Sequence, residues 1–117
     1  MTENKLIDID RLMKEFSGDE EILAEISSVF EAELPKMIAA IEIAIRSGDM
    51  KSLERAAHTL KGAVSNFQSP RVKDAVFALE KQGRENQKDD VNESFIRLKE
   101  LLNRLLDELH ILLKKAS

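Results

Sequence analysis

Cysteine, tryptophan and tyrosine are absent from this chain of 117 residues, and five phenylalanines are its only large aromatic residues. Without cysteine, the chain has no disulfide bond and no thiolate metal site. Because aromatic residues are scarce, aliphatic side chains must fill the core, and a hydrophobic share of 43% supplies enough of them. A chain of this length suits one domain, so the sequence predicts a single domain over residues 1–117.

Long apolar runs and basic runs are also missing. No apolar run approaches the roughly 18 residues that would indicate a membrane span, and residues 1–5 contain no signal-peptide core. The net charge of −4 argues against general nucleic-acid binding. We therefore expect a cytoplasmic monomer without membrane insertion or a nucleic-acid partner.

Several kinds of chemical site are not encoded. The sequence has no phosphate-binding glycine loop and no nucleophilic triad pattern. Its two histidines are far apart and do not make a zinc site. No Glu-x-x-His pair indicates a di-iron bundle. We predict neither a bound metal nor a cofactor.

Helical periodicity covers nearly the whole chain, and no stretch alternates like a strand. Asp19, Asp49 and Ser69 are predicted N-caps, with Pro70 at the first helical position and either Asp89 or Asp90 capping the last helix. The predicted helices cover about 9–16, 19–47, 50–67, 70–85 and 91–115. These lengths predict an all-α fold, an antiparallel four-helix bundle with a short additional N-terminal helix.

The second predicted helix contains Pro35, where we expect a kink or a break. Its apolar residues at helical spacing are Ile22, Ile26, Val29, Phe30, Leu34, Met37, Ile38, Ile41 and Ile45.

The third predicted helix carries the strongest functional signal, His58-Thr59-Leu60-Lys61-Gly62. At about 100° per residue, His58 points away from the apolar stripe of this helix. Gly62 lies one turn later, although glycine in a helix interior costs about 0.5–1 kcal/mol relative to alanine. Lys61 adds a cation on the same turn. An accessible imidazole beside a cation suits a group that receives and passes on an anion.

A second signal comes from the fourth predicted helix, which a short turn joins to the third. Equal steps back from the turn place His58 roughly level with Leu79 and Glu80. Because Leu79 points into the core, Glu80 is the residue expected to face the imidazole. A carboxylate there would fix the tautomer of the imidazole. Arg84 follows one turn later and either pairs with Glu80 or reaches toward an anion near His58.

The stretch Ala57-His58-Thr59-Leu60-Lys61-Gly62-Ala63 resembles the signature of histidine phosphotransfer (HPt) domains of bacterial-type phosphorelays. The likeness extends over nearly the whole chain, including Ser47-Gly48-Asp49 before the signature helix and Leu79-Glu80 after it. The resemblance implies that His58 takes a phosphoryl group from an aspartyl phosphate on a response-regulator receiver domain and passes it to another receiver. It also implies that Lys61 steadies the phosphoryl charge, Gly62 lets the receiver approach, and Glu80 hydrogen-bonds the imidazole.

The sequence departs from the family pattern at Gln68, where a second glycine is usual, and we expect an altered turn or receiver contact there. The basic residues Lys51, Arg55, Lys61 and Arg84 form a predicted cluster that would complement an acidic receiver pocket. The residues predicted to contact a partner are Lys51, Arg55, Ser65, Gln68 and Arg84. Expected partners are receiver domains, a hybrid sensor histidine kinase, or both.

The leading hypothesis is a phosphorelay carrier without an ATP-binding site, either standing alone or part of a hybrid kinase. A second hypothesis is an HPt-like module that binds receivers without turning over phosphate. A third is an oligomerisation domain that uses the leucine-rich last helix.

Overall fold

A computed structural model describes residues 5–116, which form five α-helices and one short 3₁₀ turn. The elements are α1 (Ile9–Glu15), α2 (Glu20–Ser47), α3 (Met50–Val64), the 3₁₀ turn (Ser65–Phe67), α4 (Pro70–Arg84) and α5 (Val91–Ala116). Helix α2 packs on α3 and α5, and α4 packs on the same two helices, which closes a ring of four. The predicted all-α bundle with a short N-terminal helix is confirmed.

The core of the bundle is mainly aliphatic, as the shortage of aromatic residues required. Helix α5 contributes five buried leucines, more than any other helix, and the apolar stripes of α3 and α4 are fully buried. The aromatic contact in the core joins Phe30 of α2 to Phe67 of the 3₁₀ turn, with ring centroids 4.9 Å apart. Burying both rings anchors the α3–α4 turn against α2.

Helix α2 begins as predicted, because the Asp19 carboxylate accepts a hydrogen bond from the backbone N–H of Ile22. Pro35 lies inside one unbroken helix, so the predicted alternative of a break is wrong. Seven of the nine predicted apolar residues of α2 are buried or pack against the core, so the predicted face is confirmed over most of the helix. The prediction is wrong at two positions in the N-terminal part of the helix. Ile22 and Val29 are 46% and 63% exposed, whereas Leu23 is buried.

Helices α3 and α4 form an antiparallel hairpin that is central to the site. The Asp49 carboxylate caps α3 by accepting from the backbone N–H and the hydroxyl of Ser52, and these hydrogen bonds lower the pKa of Asp49. Gln68 ends the 3₁₀ turn in the left-handed region, with φ of 52° and ψ of 51°. A non-glycine residue is strained there, which gives a physical reason for the glycine usual at this position.

The start of α4 differs from the prediction in one respect. Pro70 is the first helical residue, and Ser69 stands at the N-cap position. The Ser69 side chain makes no capping hydrogen bond, however, because its hydroxyl is turned into the protein and buried without a partner. The predicted side-chain cap is therefore wrong, and the restricted φ of Pro70 remains as the local signal that starts the helix.

Candidate functional site

His58 lies on the exposed side of α3, opposite the buried stripe of that helix. Its side chain is 69% exposed, whereas Ala57 and Leu60 are fully buried. This is the orientation that helical periodicity predicted. The imidazole is therefore open to a partner molecule while its helix stays fixed to the core.

One ring nitrogen of His58 is engaged by Glu80 of α4. The distance from His58 Nδ1 to Glu80 Oε2 is 2.9 Å, and the Glu80 side chain is only 3% exposed. The predicted juxtaposition of these two residues across the hairpin is present in the structure. A buried carboxylate under an exposed imidazole can hold the ring in one orientation.

The charge of Glu80 fixes the tautomer of His58. Burial alone would raise the pKa of the Glu80 carboxyl, but hydrogen bonds from Lys61 and His58, together with their charges, hold that pKa below its usual value. Glu80 is therefore ionised at neutral pH and can only accept a hydrogen bond. Nδ1 of His58 therefore donates to Glu80, and in the neutral form of the ring the lone pair is on Nε2, where an electrophile can meet it.

Two further cations contact the Glu80 carboxylate. Lys61 Nζ lies 2.6 Å from Oε1, and Arg84 Nη2 lies 3.2 Å from Oε2. Arg84 also donates through Nε to Glu54 on α3, over 2.9 Å. Of the two predicted alternatives for Arg84, pairing with Glu80 is the one the structure contains.

Together these contacts form a ladder of side chains along the α3–α4 hairpin. Its first rung joins Glu54 to Arg84 and its second joins His58 to Glu80. The third places Lys61 over the ring of Phe77, 5.0 Å from the centroid. Because the helices are antiparallel, each turn forward on α3 faces one turn back on α4. We call this set of six residues the ladder.

The two glycines near the ladder have opposite environments. A Cβ added to Gly62 would meet no atom within 4 Å, so nothing in this chain requires a glycine there. A Cβ added to Gly83 would lie 2.7 Å from Glu54 N and 2.8 Å from Met50 O. Gly83 therefore allows the close approach of α3 and α4, a role that the sequence interpretation missed.

The remaining predicted partner residues differ in exposure and in their hydrogen bonds. Lys51 and Arg55 are exposed on α3. Ser65 is also exposed, but its hydroxyl donates to the backbone carbonyl of Lys61. Gln68 is half-buried at the turn, and its backbone carbonyl accepts a hydrogen bond from the backbone N–H of Asp8. The predicted basic cluster is thus partly neutralised, since Lys61 and Arg84 are paired with carboxylates.

An apolar groove of about 600 Å³ runs between α2 and α3 beside His58. Its apolar lining comes from Ile26, Val29, Phe30, Met37 and Ala63, and Thr59, the neighbour of His58, also borders it. The sequence analysis did not predict this groove. Val29 is exposed on this surface, which the helical spacing of α2 did not predict.

The sequence model of the Hpt domain family matches residues 25–108. The chain belongs to the Hpt domain family. Its function is therefore that of a histidine phosphocarrier in two-component phosphorelay signalling, and the resemblance stated from the signature is confirmed.

The fold of this Hpt domain is also similar to a known structure. The crystal structure of histidine-containing phosphotransfer protein B (HptB) from Pseudomonas aeruginosa PAO1 superposes with a TM-score of 0.78 at 18% sequence identity. The superposition covers 97% of this chain and 95% of the other. No curated protein matches the sequence.

Within residues 5–116, no group of three or more His, Cys, Asp and Glu side chains is arranged to hold a metal ion. Over the same residues, every helix is too short or too polar to span a bilayer.

Proposed function

We propose that His58 is the phospho-accepting residue and that Nε2 is the accepting atom. The observation that carries the proposal is the exposed imidazole whose Nδ1 lies 2.9 Å from the buried Glu80 carboxylate. His110, the other histidine, is also exposed and also contacts a carboxylate, with Nε2 2.6 Å from Glu31 Oε1. The Glu31 side chain is 49% exposed, whereas Glu80 is 3% exposed and also contacts Lys61 and Arg84, which distinguishes the two sites.

The proposed reaction takes a phosphoryl group from the aspartyl phosphate of a receiver domain. The lone pair of His58 Nε2 attacks phosphorus while the bond from phosphorus to the aspartate oxygen breaks. The aspartate leaves as a carboxylate with the bonding electron pair. Because the ring hydrogen is on Nδ1, no proton has to leave Nε2 before attack. The reverse sequence delivers the group to the aspartate of another receiver.

The surrounding charges support this reaction through positioning and electrostatics, which phosphoryl transfer chiefly requires. Glu80 orients the ring, and we propose that Lys61 moves toward the phosphoryl oxygens once they are attached. The open space over Gly62 supports close approach of a receiver. The sequence has no phosphate-binding glycine loop, which supports a carrier that draws its phosphoryl group from a partner rather than from ATP.

We propose that receivers dock over His58 and the adjacent apolar groove. Val29 on the rim of this groove is 63% exposed, and Thr59 makes the groove continuous with the His58 surface. The exposed charges of Lys51 and Arg55 would steer an acidic receiver pocket during encounter. Ser65, Gln68 and Arg84 remain proposed contacts at the edges of this surface. We further propose that the protein is a monomer and acts in the cytoplasm, where it encounters receivers and kinases.

Transfer from a panel of phosphorylated receiver domains tests the proposed function. We expect wild-type protein and His110→Gln to acquire an acid-labile, base-stable label, and His58→Gln to acquire none. Label retained by His58→Gln would show that another residue accepts the group. If no receiver labels the wild type but receivers still bind both it and His58→Gln, the alternative of a non-catalytic receiver-binding module is correct.

A further inference from the structure

Phe77 is the exposed aromatic member of the ladder, and the proposed transfer reaction does not use it directly. Its side chain is 41% exposed and lies outside the buried core. The ring lies under the ammonium of Lys61, with Nζ 5.0 Å from the ring centroid. The same ammonium lies 2.6 Å from Glu80 Oε1.

These two contacts confine a side chain that would otherwise be mobile. A lysine ammonium is carried on a flexible stem of four carbons and usually extends into water. The Lys61 side chain is instead only 24% exposed, which is low for a lysine on the open face of a helix. The carboxylate binds the ammonium by charge, and the face of the ring binds it through the aromatic quadrupole.

Phosphorylation of His58 would change the balance between these contacts. A phosphoryl group on Nε2 brings new negative charge one turn away from Lys61, on the same face of α3. The ammonium then has two anionic neighbours, Glu80 and the phosphoryl group, and must turn from the first toward the second. The ring of Phe77 is a neutral contact that can keep the ammonium close to the α3–α4 hairpin during this movement.

We propose that Phe77 is a positioning residue that holds the Lys61 ammonium beside His58 and thereby prolongs the lifetime of the phosphohistidine. This inference rests on the proposed role of His58. It requires no additional bond or reactant, because Phe77 acts only through Lys61.

The test compares Phe77→Leu, which keeps an apolar side chain without the quadrupole, with Phe77→Tyr, which keeps the aromatic face. Each full-length variant is phosphorylated with phosphoramidate or by a competent receiver, and the decay of phospho-His58 is followed after the donor is removed. We expect Phe77→Leu to shorten the lifetime about two- to fivefold, the range of an exposed cation–π contact. Phe77→Tyr should keep the wild-type lifetime.

A double-mutant comparison separates positioning from a general structural effect. In a Lys61→Met background, Phe77→Leu should have no further effect on the lifetime, because the residue it positions is gone. In the unphosphorylated protein, the ring current should shift the Lys61 ε-methylene protons upfield in the wild type and Phe77→Tyr, but not in Phe77→Leu. Lys99→Met is the matched control, since Lys99 Nζ lies 4.5 Å from the Phe95 ring on α5.

The outcomes separate this inference from the function on which it rests. Equal lifetimes for wild type and Phe77→Leu would overturn the inference alone, as would an effect of Phe77→Leu that persists without Lys61. A shortened lifetime in Lys99→Met would show that loss of any such contact acts through stability, and would also overturn it. A wild type that accepts no phosphoryl group would overturn both the proposed function and the inference.

Discussion

Replacing each of the two helical glycines by alanine should have opposite effects on stability. At Gly62 the added methyl group meets no atom within 4 Å, so the gain in helix propensity, about 0.5–1 kcal/mol, is realised in full. For a domain of this size that gain raises Tm by roughly 2–6 °C. At Gly83 the methyl group would lie 2.7 Å from a backbone nitrogen of α3, so the hairpin must open. Overpacking of this kind costs about 1–3 kcal/mol.

Thermal and urea unfolding, followed by circular dichroism, measure both variants, and receiver-to-His58 transfer is measured in parallel. We expect Gly62→Ala to be more stable than wild type but slower in transfer, because the methyl group stands where a receiver approaches. A decrease in Tm for Gly62→Ala, or an unchanged Tm for Gly83→Ala, would refute the packing argument. Unimpaired transfer in Gly62→Ala would refute the functional reading of this glycine, whatever its stability.

Two further predictions concern the ionised carboxylate and the strained turn. The folded-state pKa of Glu80 lies below its unfolded value, so its contribution to stability is present above about pH 4.5 and is lost as pH falls through the folded pKa. At pH 7, Glu80→Gln should therefore have a free energy of unfolding about 1–2 kcal/mol below that of wild type. This difference should shrink as the pH falls. Urea titrations between pH 7 and pH 3 measure it, and a difference that stays constant over this range would contradict the prediction. Gln68→Gly should raise the free energy of unfolding by about 1 kcal/mol, because φ of 52° strains any residue with a Cβ. An unchanged urea midpoint would show that this strain is compensated.

The central pair of the site was predictable from the sequence because two simple periodicities determine it. Helical spacing turned His58 outward, and a short turn fixed the antiparallel register that brings Glu80 level with it. Both depend on the backbone alone. The all-helical architecture followed in the same way from apolar spacing and capping signals.

Features that depend on packing were not predictable in this way. Ile22 and Leu23 are adjacent apolar residues, and spacing alone fits either one as the buried residue of α2. The hydroxyl of Ser69 has two possible environments, and the fold turns it inward rather than toward the helix end. The contact between Lys61 and Phe77 requires a particular side-chain rotamer on top of the correct register. The sequence did contain one indication of this contact, because Phe77 and Glu80 are three residues apart and therefore lie on the same face of α4.

The ladder has a mechanical consequence, because all six of its residues belong to two consecutive helices. Helix α3 packs more extensively on α4 than on any other helix, and Gly83 brings their backbones close together. The proposed docking groove, by contrast, takes most of its lining from α2. Substitutions on the exposed surface of α2 can therefore alter this lining without removing any residue of the ladder. Selection can then change which partners are recognised by mutating α2, while the chemistry of the acceptor stays constant.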